Sequence, residues 1–253
     1  MKMHILCGGR LRMRKSVYLP DAERTETIDL PVSSVLLRHA QGNVLFDTGC
    51  HPSTLNEAEA RWGAMAKAMV PIGGPNDNVV SELATLGMTP QDIDVVVASH
   101  FHSDHCGCNE FFKRATLVCH RKELEAAQGP DAIRNGYIPA DWQHPMPTQL
   151  IEAQHDLFGD SRMVLLPLPG HTAGAIGALV SLDRDGTFLL ASDAAALRAN
   201  LDREIIPRNT WNAEQASVSL REIQRIERSG ATVIFGHDHQ QWSEMRKGVD
   251  SYE

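Results

Sequence analysis

The chain has 253 residues, of which 42% are hydrophobic and 22% charged, with a formal net charge of −8. This length allows a substantial core and predicts a single domain over residues 1–253. The acidic balance, with no cluster of Lys and Arg, argues against a nucleic-acid partner. No apolar run approaches the roughly 18 residues that a membrane helix needs, which argues against a membrane-spanning protein.

The N-terminus and the cysteines predict a cytoplasmic protein. The apolar stretch after Met1 is too short for a secretory signal and is typical of a first β-strand that ends in the glycine turn at 8–9. The five cysteines are odd in number and have no framework spacing, so free thiols are expected. Cys106 and Cys108 lack the spacing of a zinc ribbon and are expected to be small packing residues.

Apolar periodicity predicts both strands and helical segments in the N-terminal part of the chain. Gly42-Asn43 is a candidate two-residue hairpin turn. Asp47 follows a predicted strand, where it either orients a ligand histidine or caps a turn. The insert around Trp62 forms either one wall of a pocket or a packing element. The predicted elements are strands at 3–7, 33–39, 44–46 and 95–98, helical turns within 53–70, and a helix at 76–86.

A dense group of metal-ligand residue types follows the apolar strand at 95–98. His100, His102, Asp104 and His105 lie within six residues. Each imidazole carries two polar nitrogens, and several rings without partners at the end of a buried strand would cost free energy. A metal ion bound to one nitrogen of each ring removes that cost. The group therefore predicts a metal site.

The rest of the chain alternates strands with helices. His120 begins a predicted helix, as a surface or capping residue. The proline-rich segment 129–148 is predicted to be an irregular loop, of a length that often carries function. The remaining predicted elements are strands at 115–119, 149–152, 162–168, 175–182, 187–191 and 231–235 and an amphipathic helix at 213–229.

Three further potential ligands, His171, Asp193 and His237, each follow one of these strands. Ligands at strand ends can meet at one edge of a sheet without being neighbours in sequence. Five histidines and two aspartates suit two metal ions that share one carboxylate. Sites made of nitrogen and oxygen donors suit zinc, and also iron, manganese or cobalt. The sequence therefore predicts two divalent metal ions, with zinc preferred.

This pattern of residues resembles the metallo-β-lactamase superfamily in type, order and approximate spacing. The resemblance implies an α/β fold, the αβ/βα sandwich, with two mixed β-sheets flanked by helices and the metals at one edge. It also implies a role for each ligand. The first metal would be held by His100, His102 and His171, the second by Asp104, His105 and His237, with Asp193 bridging the two.

The residues around the ligand pattern favour one branch of this superfamily. The bridging residue is an aspartate, unlike the cysteine of many zinc β-lactamases and similar to the branch with glyoxalase II enzymes and lactonases. The segments Asp47-Thr48-Gly49-Cys50, Pro169-Gly170-His171-Thr172 and Gly236-His237-Asp238 look like N-acyl homoserine lactone lactonases and relatives that open γ-butyrolactone or pyridoxolactone. The implied partner is a small lactone, and the implied role is quorum quenching.

The resemblance implies that a metal-bridging hydroxide attacks the ester carbonyl and that Asp104 passes the proton to the departing alkoxide. The alternatives are a lactonase for another small lactone, a glyoxalase-II-like thioesterase, or a phosphotriesterase on the same dinuclear site. A non-enzymatic, metal-stabilised module is disfavoured, because structural metal sites are usually closed sets of four ligands. The sequence leaves open whether the protein forms a homodimer.

One position departs from the lactonase pattern. Those enzymes usually place a tyrosine three residues after the bridging aspartate, where its hydroxyl can steady the lactone carbonyl. Here that position is Ala196. Either the metal alone polarises the carbonyl, or Tyr137 or His239 supplies the donor, or the substrate differs.

Overall fold

The computed structural model describes residues 1–253 as two stacked β-sheets with helices on both outer faces. The first sheet holds β1 (Lys2–Arg14), β2 (Thr27–His39), β3 (Gly42–Phe46), β4 (Val70–Pro71), β5 (Val95–Val97), β6 (Thr116–His120) and β7 (Thr148–Ile151). The second holds β8 (His155–Asp156), β9 (Met163–Pro167), β10 (Ile176–Leu182), β11 (Gly186–Ser192) and β12 (Thr232–Phe235).

Both sheets are mixed, as predicted. The first has the strand order β4-β1-β2-β3-β5-β6-β7. Its β1, β2 and β3 are antiparallel, whereas β3, β5, β6 and β7 run parallel. The second has the order β12-β11-β10-β9-β8, and only its β11–β12 pair is parallel.

The helices lie between the strands in sequence. They are α1 (Lys15–Tyr18), α2 (Thr54–Trp62), α3 (Val79–Thr85), α4 (Ser103–Cys106), α5 (Arg121–Gln128), α6 (Pro139–Trp142), α7 (Arg198–Asp202), α8 (Ala213–Arg228) and α9 (His239–Glu244). Short 3-10 turns occupy Gly63–Lys67, Pro90–Asp92, Asn109–Phe111 and Asp193–Ala195. No helix has the length and apolar character that crossing a membrane requires.

The core is layered because side chains alternate along each strand. On β2, Leu36 packs with helices α3 and α5, while Leu37 packs into the space between the two sheets. The apolar face of α8, including Leu220 and Ile223, covers the outer face of β11 and β12. These layers are the αβ/βα sandwich that the sequence predicted.

Several predicted boundaries were wrong. The first strand does not end at residue 7, because a register shift between Cys7 and Gly9 lets β1 continue as a bulged strand to Arg14. The hairpin turn is Ala40-Gln41, since Gly42 already pairs with His39. Helix α3 begins only at Val79, where the Asn78 side chain accepts from the Ser81 amide. The predicted loop 129–148 contains α6.

The other predicted packing roles are confirmed. All five cysteines are free and buried, and Cys106 and Cys108 belong to the core. The His120 side chain caps α5 by accepting from the Lys122 amide, and it is buried rather than on the surface.

Candidate metal centre

Four strand ends bring all seven predicted ligand residues to one edge of the sandwich. The segment after β5 carries His100, His102, Asp104 and His105, and the segments after β9, β11 and β12 carry one residue each. The donor atoms form three groups, each within 4.8 Å. These are His100, His102 and His171; His100, His105 and Asp193; and Asp104, His105 and His237.

The Asp193 carboxylate lies between two sets of histidines. Its Oδ1 is 3.0 Å from His237 Nε2 and 3.4 Å from His105 Nε2. Its Oδ2 is 3.3 Å from His171 Nε2. Each carboxylate oxygen therefore faces a different set of ring nitrogens, which is the geometry expected of a shared ligand.

The far side of four of the five rings is held by a hydrogen-bond partner, which fixes the nitrogen that faces the centre. The Nδ1 atoms of His100, His105 and His237 lie 2.9, 2.8 and 2.9 Å from Ser99 Oγ, Asp47 Oδ2 and the Pro31 carbonyl. In His102 the roles are reversed. Its Nε2 donates to the Asn135 carbonyl at 3.0 Å, and its Nδ1 faces His171 Nε2 at 3.0 Å.

Four of the atoms that face the centre lack hydrogen-bond partners of their own. The Nε2 atoms of His100, His105 and His237 and the Asp193 Oδ1 are buried and unpaired. Four such atoms at one point would cost several kcal/mol in an empty apolar environment. Nitrogen and carboxylate donors in this arrangement fit divalent metal ions, so these histidine and aspartate clusters are able to bind a metal.

Burial and neighbouring charges shift the pKa values of the candidate ligands. Burial lowers the pKa of His171 to about 3 and holds the pKa of His100 well below its usual range. At Asp193, the charges of the neighbouring histidines outweigh burial and hold the carboxyl pKa well below its usual value. The low pKa values keep His100 and His171 neutral and Asp193 ionised, which are the protonation states that bind metals. At His105 and His237 burial is outweighed by the charges of Asp104 and Asp193, which raise the pKa of both rings.

Of the two roles predicted for Asp47, the structure shows the first: it orients a candidate ligand histidine. Its Oδ2 accepts from His105 Nδ1 and from Ser99 Oγ at 2.7 Å, and its Oδ1 accepts from the Ser99 amide at 2.7 Å. Its backbone φ is +58°, in the left-handed region that non-glycine residues rarely adopt. The strand end is therefore shaped to aim this carboxylate at His105.

Sequence reasoning missed Glu123, a fully buried carboxylate on α5. Its Oε1 accepts from the Phe101 amide at 2.9 Å and its Oε2 accepts from the Gly174 amide at 3.0 Å. One side chain thus ties the segment that carries His100 and His102 to the segment that carries His171. Burial raises the pKa of Glu123, against the lowering effect of these amides.

A cavity of about 440 Å³ opens beside the centre. His102, Asp104, His171 and Asp193 form part of its wall. Another part is apolar and comes from two segments of the chain. It consists of Met13, Val17, Met65, Ala68 and Met69. The last three belong to the insert 53–70, which confirms its role as a pocket wall.

The exposed residues Arg134, Arg208 and Trp211 also line the cavity, and the last of these is 51% exposed. Tyr137 and His239, the two residues predicted as possible hydrogen-bond donors to the substrate carbonyl, differ in position. Tyr137 lines the cavity, but its hydroxyl lies beside the buried Glu123 carboxylate. His239 is exposed at the start of α9 and does not line the cavity.

A family model of the metallo-beta-lactamase superfamily matches residues 27–244. The chain therefore belongs to this superfamily, as the ligand pattern and the sandwich predicted.

Within the superfamily, the chain is similar to proteins named N-acyl homoserine lactonase. AiiB of Agrobacterium fabrum is 32% identical, covering 99% of this chain and 98% of the relative. AttM of Azorhizobium caulinodans is 27% identical, covering 100% of this chain and 99% of the relative. A solved N-acyl homoserine lactone hydrolase, with N-hexanoyl-L-homoserine at its catalytic metal centre, is 25% identical with a TM-score of 0.89. That match covers 99% of this chain and 98% of the other.

Proposed function

We propose that this chain is a metal-dependent lactonase that opens N-acyl homoserine lactones, with residues 1–253 acting as one hydrolase domain. The observation that carries the proposal is the shared Asp193 carboxylate, flanked by histidines on both sides, at the wall of a cavity with an apolar side. A ring-shaped ester beside the ligands and an acyl chain along the apolar side match these two surfaces.

The proposed centre holds two divalent ions, preferably zinc. His100, His102 and His171 would hold the first, and Asp104, His105 and His237 the second, with Asp193 shared between them. The support is the grouping of their donor atoms within 4.8 Å and the hydrogen-bonded far side of four of the rings. Metal ions bound by such ligands polarise an ester carbonyl and lower the pKa of a coordinated water to about 7.

The location of Asp104 supports the proposal that it carries the proton. Its Oδ2 lies 3.7 Å from His105 Nε2 and 3.6 Å from His237 Nε2, and the residue also lines the cavity. In the proposed reaction, water adds to the ester carbonyl carbon and the ring C–O bond breaks. The Asp104 carboxylate takes the proton that the water loses and delivers it to the departing alkoxide, which gives a hydroxy acid.

The substrate assignment rests on the cavity and on the relatives. Methionine side chains are flexible and apolar, so Met13, Met65 and Met69 suit an acyl chain of variable length. The relatives AiiB and AttM carry the name of the same activity. The free thiols support a reducing, cytoplasmic location as part of the proposal.

The test is a hydrolysis panel on metal-loaded protein. It contains N-acyl homoserine lactones of several chain lengths, γ-butyrolactone, pyridoxolactone, S-lactoylglutathione and a phosphotriester. We expect the highest kcat/KM on an N-acyl homoserine lactone and no ring opening after exhaustive chelation. Activity that survives in metal-free protein would overturn the metal mechanism. Preference for the thioester would favour the glyoxalase-II-like alternative, whose anionic substrate Arg134 and Arg208 could attract.

A further inference from the structure

We propose that Tyr18 donates a hydrogen bond to the carbonyl oxygen of the substrate and so positions it beside the ligand cluster. This rests on the proposed lactonase function. The residue would supply, from a distant part of the chain, the hydroxyl that is absent at Ala196. It would be a catalytic residue that the ligand motif does not include.

Tyr18 lies at the end of α1, beside the ligand residues. It is 2% exposed and lines the same cavity as Asp104, His171 and Asp193. Its ring packs edge-to-face on the His237 imidazole, with 6.1 Å between the ring centroids. A phenol therefore lies at the wall of the cavity, beside the candidate ligand His237.

The Tyr18 hydroxyl is held by a weak partner. It donates to Met13 Sδ at 3.4 Å. A thioether sulfur is a poor acceptor, and buried tyrosine hydroxyls usually find a better one. Met13 also lines the cavity and is flexible. A carbonyl oxygen that enters the cavity would therefore be the stronger acceptor for this O–H.

Ala196 and Tyr18 both contact the candidate metal ligand His237. The Ala196 carbonyl accepts from the His237 amide at 2.8 Å. The buried Asn200 side chain connects the two segments, since its Nδ2 donates to the Tyr18 carbonyl and its Oδ1 accepts from the Leu197 amide, both at 2.9 Å. Tyr18 and Ala196 belong to the same buried apolar cluster.

The other two candidates fit less well. The Tyr137 hydroxyl lies beside the Glu123 carboxylate, which is a competing acceptor for its hydrogen bond. His239 lies outside the cavity. In the proposed role the Tyr18 phenol keeps its proton throughout. It strengthens its hydrogen bond as negative charge develops on the carbonyl oxygen, so its effect falls mainly on kcat.

The first test is Tyr18→Phe, which keeps the ring and removes the hydroxyl. We expect kcat/KM for N-hexanoyl homoserine lactone to fall about 10- to 100-fold, mostly in kcat, with unchanged metal content. The matched control is Tyr252→Phe, which removes a phenol whose oxygen accepts from the Arg246 amide and does not line the cavity. The control should stay within about twofold of wild type.

The second test does not depend on turnover. The chain has three tyrosines, so 3-fluorotyrosine labelling should give three ¹⁹F signals, with the Tyr18 signal assigned from its loss in Tyr18→Phe. An N-hexanoyl homoserine lactam, which keeps the ring carbonyl but resists hydrolysis, should shift the Tyr18 signal and leave that of Tyr252 in place. Calorimetry would establish that the lactam binds.

The outcomes separate the two proposals. Wild-type protein that opens no lactone and binds no lactam overturns both the lactonase function and the role of Tyr18. Active wild-type protein with a Tyr18→Phe variant within about twofold of it overturns only the role of Tyr18. So does a bound lactam that leaves the Tyr18 signal unmoved.

Discussion

Gly236 lies so close to Asp193 that a β-carbon added to the glycine would sit 2.5 Å from the Asp193 Oδ1. The same atom would be 2.9 Å from the Ser192 carbonyl oxygen. The residue before His237 therefore has to be small if Asp193 is to keep its position between the two sets of histidines. This contact joins the end of β12 to the end of β11 at the candidate centre.

Gly236→Ala is accordingly expected to displace the Asp193 carboxylate. We predict lower metal occupancy after purification and a loss of stability of about 1–3 kcal/mol, because the new methyl group overpacks a buried site. Metal analysis and thermal unfolding measure the two effects. Gly74→Ala is the matched control, since an added β-carbon there meets nothing within 4 Å. Wild-type occupancy in Gly236→Ala would contradict this prediction.

Asp47→Asn tests the carboxylate that holds the Nδ1 of His105. The asparagine keeps the shape but loses the charge, and the NH₂ group that replaces one oxygen cannot accept the hydrogen bonds from His105 and Ser99 that the carboxylate accepts. We predict a metal affinity about 10- to 100-fold lower, measured by competition with a chelator. Asp94→Asn is the control, because that exposed carboxylate accepts from the Asn43 amide at 2.7 Å. Equal affinities in the two variants would remove Asp47 from this role.

Glu123→Gln tests the link between the two ligand segments. Both oxygens of Glu123 accept from backbone amides, and a glutamine would place its NH₂ group against one of these donors. An unsatisfied buried donor costs about 1–3 kcal/mol, which lowers the melting temperature by roughly 3–10 °C.

The control for this substitution is Glu125→Gln on the exposed face of the same helix, which should melt like wild type. If Glu123→Gln unfolds at the same temperature as Glu125→Gln, the carboxylate does not hold the segments together. Differential scanning calorimetry of metal-free protein keeps this comparison independent of metal occupancy.

The clustering of the seven candidate ligands could be predicted from the sequence because each follows a strand, and strand ends meet at a sheet edge. Glu123 could not, since its helix Arg121–Gln128 is rich in charge and its burial arises only when the segment after β9 folds over it. Tyr18 could not either. A strand that ended at residue 7 would leave it remote from the ligands, whereas the bulge that carries β1 to Arg14 brings α1 onto His237.

Met65→Ala tests the apolar wall of the cavity. Removing part of this surface should weaken binding of long acyl chains by about 1 kcal/mol, or roughly fivefold in kcat/KM for N-decanoyl homoserine lactone. The rate with γ-butyrolactone, which has no acyl chain, should stay within about twofold and serves as the internal control. An equal loss on both substrates would indicate a general structural effect instead of an acyl-chain contact.

Asp104→Asn separates proton transfer from substrate binding. Asparagine has nearly the same shape and keeps one oxygen, but it cannot accept the proton that the water loses. At matched metal content we predict that kcat falls about 10²- to 10⁴-fold while KM changes by less than about threefold. Asp250→Asn, at an exposed position, controls for the change in net charge. A near-wild-type kcat in Asp104→Asn would assign the proton to another group, whereas a rise in KM with unchanged kcat would limit Asp104 to binding.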